Sequence, residues 1–159
     1  RQSIEAIDLI QSKTISIEVM IHDALRSEAT LTRPRPTSYL LLPSQAVLAE
    51  KLKILGLEVS KLKHSKTVSV ESYQVTQYLG EPLIYEGVFR QKVAAKTLKK
   101  SIDFPSGTFV VELSQARANL AVEVLEPEAT NSFVSFGVLE TEQGQELPVY
   151  RCMEELGAN

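Results

Sequence analysis

The chain is poor in the residues that carry most covalent and metal chemistry. Among its 159 residues there are one cysteine, Cys152, two histidines and no tryptophan. A lone cysteine excludes an internal disulfide framework. Two histidines and one thiol leave little material for a zinc centre, which needs three or four ligands that converge. The seven glycines stand singly, so no glycine-rich phosphate loop is present. Positive charge is also short, with 17 Lys and Arg against 20 Asp and Glu and a net charge of −3. Nucleic-acid binding would call for clustered basic residues instead. No apolar run approaches the about 20 residues of a membrane-spanning helix. What remains is ordinary globular composition, 43% hydrophobic and 23% charged, in a length suited to one domain with a real core. The first residue is Arg1, with no methionine and no signal peptide, and the chain reads as a piece of something longer.

Hydrophobic spacing outlines the elements. Ile4, Ile7, Ile10, Thr14, Ile17, Ile21 and Leu25 recur every three or four residues, which predicts a long helix over residues 2–28 with Ser3 as its cap. The β-branched run Thr14-Ile15-Ser16-Ile17 is its weak point. Such a helix either packs on its own core or docks on a neighbouring domain. Residues 29–37 carry two prolines one residue apart and read as a linker. A strand over Tyr39–Leu42 then runs into a Ser44-capped helix stopped by Gly56, and Leu57–Val59 restarts as a strand. Val68, Val70, Tyr73 and Val75 predict a long strand with a bulge, Gly80-Glu81-Pro82 a turn, and residues 83–98 further strand. After a turn at Phe104–Gly107, Thr108–Val111 is a buried strand, and Ser114 caps a second helix that Pro127 halts. The strand–Ser-Gln-Ala–helix pattern at residues 39–46 recurs at residues 109–116. The expected fold is α+β, a mainly antiparallel or mixed sheet with two strand–Ser-Gln–helix units and a long N-terminal helix. The expected domains are residues 1–33, a connecting helix and linker, and residues 34–159, an accessory domain.

Candidate chemistry is sparse. His22 and His64 lack any His-Glu-x-x-His spacing, and both read as structural or solvated. Cys152 has no histidine near it in sequence and reads as a spectator thiol. Leu125-Glu126-Pro127-Glu128 holds two carboxylates flanking a proline. These could work as an acid–base pair only if burial separated their pKa values. Lys51, Lys53, Lys61, Lys63 and Lys66, with the later Lys92–Lys100 group, could bind an anionic ligand such as a cell-wall polymer if they converge on one surface. Otherwise they are a solvated face.

Several short motifs occur in a telling order: Pro36-Thr37-Ser38-Tyr39, Leu55–Val59, Val70-Glu71-Ser72-Tyr73, Pro105-Ser106-Gly107 followed by Gln115, Leu125–Glu128, and Glu146–Arg151. Over about residues 34–151 this order resembles the C-terminal region of large bacterial zinc carboxypeptidases of the carboxypeptidase A-like family. The resemblance implies a zinc peptidase as the parent, with zinc held by a His-x-x-Glu pair and a distant histidine and with a glutamate as general base. None of that zinc motif stands in this sequence. Thr108–Leu113 is superficially similar to the strand that carries the family's catalytic glutamate, but the Gln115 helix and Leu125–Glu128 after it match the non-catalytic tail. The resemblance therefore implies no catalytic, cofactor or metal residue here, zinc only in the parent, and a partner in cis, the chain's own peptidase domain. It further implies a structural or access-shaping role and a periplasmic or secreted setting.

Overall fold

In the computed structural model the chain divides into two compact units, Arg1–Pro34 and Arg35–Asn159. The structure describes residues 1–22, 25 and 28–157.

The first unit corrects the long N-terminal helix. Gln2–Asp8 (β1) and Lys13–Val19 (β2) form an antiparallel hairpin instead. The three-and-four spacing of isoleucines coincides with a second pattern of period two, Ile15-Ser16-Ile17-Glu18-Val19, and β-branched residues favour the strand. Pairing places Ile4 opposite Ile17 and Ala6 opposite Ile15 on one face, with Ser3, Glu5, Ser16 and Glu18 on the other. The Asp8 carboxylate accepts the backbone N–H groups of Ile10 and Gln11, an Asx turn that closes the hairpin. Ser3 therefore caps no helix; its hydroxyl meets that of Ser16 across the pair. Residues 23, 24, 26 and 27 of the expected helix lie outside the described residues.

The second unit is an antiparallel sheet with two short helices, so the expected α+β class gives way to a mostly β architecture. Its strands are Ser38–Leu41 (β3), Ser60–Lys61 (β4), Lys66–Tyr85 (β5), Val88–Phe104 (β6), Phe109–Glu112 (β7) and Glu146–Cys152 (β8), in spatial order β4-β7-β3-β8-β5-β6. The helices are Ala46–Ile54 (α1) and Ala118–Leu125 (α2).

Side-chain alternation explains why both sheet faces are covered. Tyr39, Leu41, Tyr73, Val75, Phe109, Val111, Leu147 and Val149 point to one face, where Leu48 and Leu52 of α1, Val124 and Leu125 of α2, and Phe133 and Val134 pack on them. Leu40, Val68, Val70, Val110 and Cys152 point to the other, covered by Leu62 and Leu156. The change of phase between Val70 and Tyr73 is thus plain alternation with opposite faces buried in the two halves of β5. Its bulge lies further on, between Val75 and Gln77, and the β5–β8 ladder shifts between Ser72 and Gln74. Gly80-Glu81-Pro82 is not a turn either, because β5 runs through it with a loosened register. The hairpin closes at Glu86-Gly87, where both residues take positive φ (50° and 83°), the geometry that matches strand twist in a two-residue loop.

Both serine caps fail. Pro43–Gln45 forms a single 3-10 turn before α1, and α2 begins only after Arg117; neither start has a side-chain cap. The end of α1 is as its glycine indicates. Gly56 has φ +80°, its N–H reaches the Lys53 carbonyl and that of Leu57 reaches Leu52, the Schellman pattern. The Arg117 guanidinium donates to the Leu55 carbonyl and occupies the space beside Gly56, 2.2 Å from where a Cβ would stand. Gly56→Ala should therefore cost about 1–3 kcal/mol through the left-handed backbone alone, plus displacement of Arg117. A thermal melt of the variant checks this; an unchanged midpoint would refute it.

Candidate functional site

The most elaborate polar arrangement is buried on the helix-covered face of the sheet. Register places Tyr39 of β3 and Glu71 of β5 on either side of Arg151 of β8, so three neighbouring strands present a phenol, a guanidinium and a carboxylate in one row. Arg151 is 1% exposed, and its Nη1 lies 2.5 Å from Glu71 Oε2. Its Nε lies 3.3 Å from Glu126 Oε1, and the Tyr39 hydroxyl donates to that same oxygen at 2.7 Å. Tyr73 faces the same carboxylate. Burial pushes both phenols far above the ordinary tyrosine range, and the negative Glu126 beside them pushes further in the same direction.

Glu126 reaches this row because of the residue after it. Proline disfavours helical backbone in the preceding residue, and Glu126 adopts φ −74°, ψ 120° at the end of α2. The other carboxylate of the segment goes elsewhere: Glu128 Oε1 accepts the backbone N–H of Ala95 on β6 at 2.8 Å. The two carboxylates of Leu125–Glu128 thus serve different strands and do not form an acid–base pair. Glu126 is neutralised by Arg151 and enclosed with two phenols, an arrangement that fixes α2 on the sheet and offers no open position for a substrate.

Gln115 is also structural. Its Oε1 accepts the Glu58 N–H at 2.8 Å, while its Nε2 donates to the carbonyls of Glu58 and Glu112. That side chain takes the place of a strand partner for Glu58, which explains why Leu57–Val59 is not itself a strand and β4 begins at Ser60. A shallow cleft of about 450 Å³ lies nearby, lined by Arg35, Thr37, Glu112, Ser114 and Glu155 among others. Partial burial and the neighbouring Glu155 raise the Glu112 carboxyl above its ordinary value. Sequence reasoning missed this pair, since Glu112 and Glu155 meet only once β7 and the C-terminal tail are placed.

The remaining candidates do not assemble. His22 and His64 are both exposed, and Asp23 beside His22 lies outside the described residues. Among the described residues no three His, Cys, Asp or Glu side chains are grouped to hold a metal, so these residues do not fit the kind of zinc site that the motif resemblance implies for the parent. Cys152 is buried within β8, its thiol directed to the Glu154 carbonyl at 3.1 Å. The lysines diverge. Lys61 lies on the β4 edge and Lys92, Lys96, Lys99 and Lys100 on β6 at the opposite edge, with four strands between. At about 4.8 Å per strand that is roughly 24 Å across the sheet. Several are already engaged: Lys53 with Glu50, Lys92 with Glu81, Lys100 with Glu146, and Lys66 with the Leu156 carbonyl. No helix among the described residues is long and apolar enough to cross a membrane.

Comparison with known proteins gives one consistent match. The chain is 38% identical over 125 residues to "Carboxypeptidase 2" of Trichophyton tonsurans and 37% identical over 125 residues to that of Trichophyton rubrum. In each case the match covers 79% of this chain but 23% of the relative. A "Probable carboxypeptidase 2" of Arthroderma benhamiae is 36% identical over 100 residues, 63% of this chain and 19% of that protein. The chain thus corresponds to less than a quarter of the length of these relatives. They are fungal, which corrects the bacterial parentage that the motif resemblance implies. No protein-family profile matches the chain, and no solved structure does.

Proposed function

We infer that this chain is a non-catalytic accessory region of a carboxypeptidase, with a structural or access-shaping place beside the peptidase portion of one polypeptide. The observation that carries this reading is the asymmetry of the match, most of this chain against a small part of proteins named carboxypeptidase. The site supports it physically, because the most buried carboxylates are paired with Arg151 and tyrosine hydroxyls inside the core. In this reading the zinc and the general-base glutamate implied by the motif resemblance belong to the peptidase portion. The divergence of the lysines weighs against the alternative, a module for an anionic polymer.

The test is direct. The isolated 159-residue chain, purified and assayed for metal and for release of C-terminal residues from peptides, should hold far less than one zinc per chain and release nothing. Stoichiometric zinc together with hydrolysis would overturn the reading.

A further inference from the structure

Beyond the bulge at Thr76, β5 has no strand neighbour but β6, so residues 76–93 extend as a two-stranded arm past the end of β8. The arm is apolar at its tip. Leu79, Leu83, Ile84 and Phe89 are 62–78% exposed, although neither core of the second unit needs them. Four large apolar side chains left in water within eleven residues mark a contact surface more than chance exposure does. We propose that this tip is the surface by which the chain seats on the peptidase portion of the same polypeptide, an inference that rests on the accessory reading above.

Four features argue for that occupant. The tip is preorganised: Tyr85 packs edge-on against Phe136, and Arg90 lies over both rings while donating to Ser135 Oγ and the Thr130 carbonyl. A surface held rigid from behind loses little entropy on docking. Its charges cancel, with Glu81 and Lys92 2.6 Å apart and Glu86 near Arg90 in sequence, so the complementary surface is apolar and not anionic. A second copy pairing along the outer edge of β6 is obstructed. The Gln91 N–H is taken by the Ser135 carbonyl, that of Ala95 by Glu128, and Lys96, Lys99 and Lys100 follow. The relatives are about four times as long as the matched segment, so a partner in the same polypeptide is available. Tethering supplies an effective concentration in the millimolar range, enough for a patch of this size.

The experiment compares the 159-residue chain with the full polypeptide encoded by its transcript, using hydroxyl-radical footprinting of Leu83, Ile84 and Phe89. These side chains should be oxidised about tenfold more slowly in the full polypeptide, and Ile84→Ser/Phe89→Ser should restore fast oxidation at Leu83. The same double variant should leave the melting temperature of the 159-residue chain unchanged. If it does not fold, Leu79→Ser/Leu83→Ser repeats the test with Ile84 and Phe89 as reporters. Equal oxidation in both polypeptides overturns the inference, as does a 159-residue chain that forms dimers abolished by the tip variant, which would make a second copy the occupant. A full polypeptide without carboxypeptidase activity would instead overturn the accessory reading, whereas an active one with an unprotected tip would overturn only the arm.

Discussion

Replacing Arg151 with methionine should lower the unfolding free energy by about 3–5 kcal/mol, the cost of stranding buried charge. Few single substitutions outside a large cavity reach that size. The guanidinium is 1% exposed and answers two carboxylates, Glu71 through Nη1 and Glu126 through Nε. Without it both keep their charge in a largely buried setting and lose the guanidinium that balances them. The lost packing of the side chain is a smaller matter, because methionine fills much the same length. A urea melt with an unchanged slope measures the loss. The triple variant Arg151→Met/Glu71→Gln/Glu126→Gln should recover part of it by removing the stranded charges. If the single variant were as stable as the parent, or the triple variant no better than the single, the electrostatic account would fail.

Alkaline pH should unfold the chain steeply. Tyr39 and Tyr73 have phenols held well above their ordinary value, first by burial and then by Glu126. In the unfolded chain both ionise near pH 10. Below that pH both states keep the protons and the tyrosines contribute no pH dependence. Above it the unfolded state gives up two protons that the folded state retains. The stability present below pH 10 is therefore lost as pH rises, by about 2.7 kcal/mol per pH unit for the two together. Phenolate absorbance followed alongside circular dichroism checks this: two of the five tyrosines should ionise only as the sheet melts. Reversible ionisation of all five in a folded chain would sink the prediction.

Local signals were readable where one pattern stood alone. Tyr39–Leu42 and Thr108–Val111 are short, largely apolar runs bounded by turn residues, and each overlaps an interior strand to within one residue, Ser38–Leu41 and Phe109–Glu112. Gly56 stops α1 because only a residue free of a Cβ suits that φ and the Arg117 beside it. Where two periods overlapped the choice failed: Ile4, Ile7, Ile10, Thr14 and Ile17 fit a helix, yet Ile15, Ile17 and Val19 also fit a strand, and the strand pairing prevails. The serine caps failed because both helices are entered through tight turns that leave the hydroxyls out of reach. The polar row was legible only in pieces. Leu125–Glu128 stands out as a segment, but Glu71 and Arg151 are 80 residues apart and meet through strand order alone. Nothing local to either residue announces the other.

The sheet is closed at its middle by its own ends. β3 lies between β7 and β8, and Thr37 donates to the Cys152 carbonyl across 115 residues of chain. A ribosome adding about 5–20 residues per second needs on the order of 10 s to cover that interval. Throughout that time the Ser38–Leu41 strand, wholly buried in the finished fold, waits without its last partner, while the β5–β6 ribbon, whose pairs are local, can form in microseconds. The periphery of this sheet is therefore assembled early and its centre last. A nascent chain stalled before Glu146 would expose the strand that the finished molecule hides best.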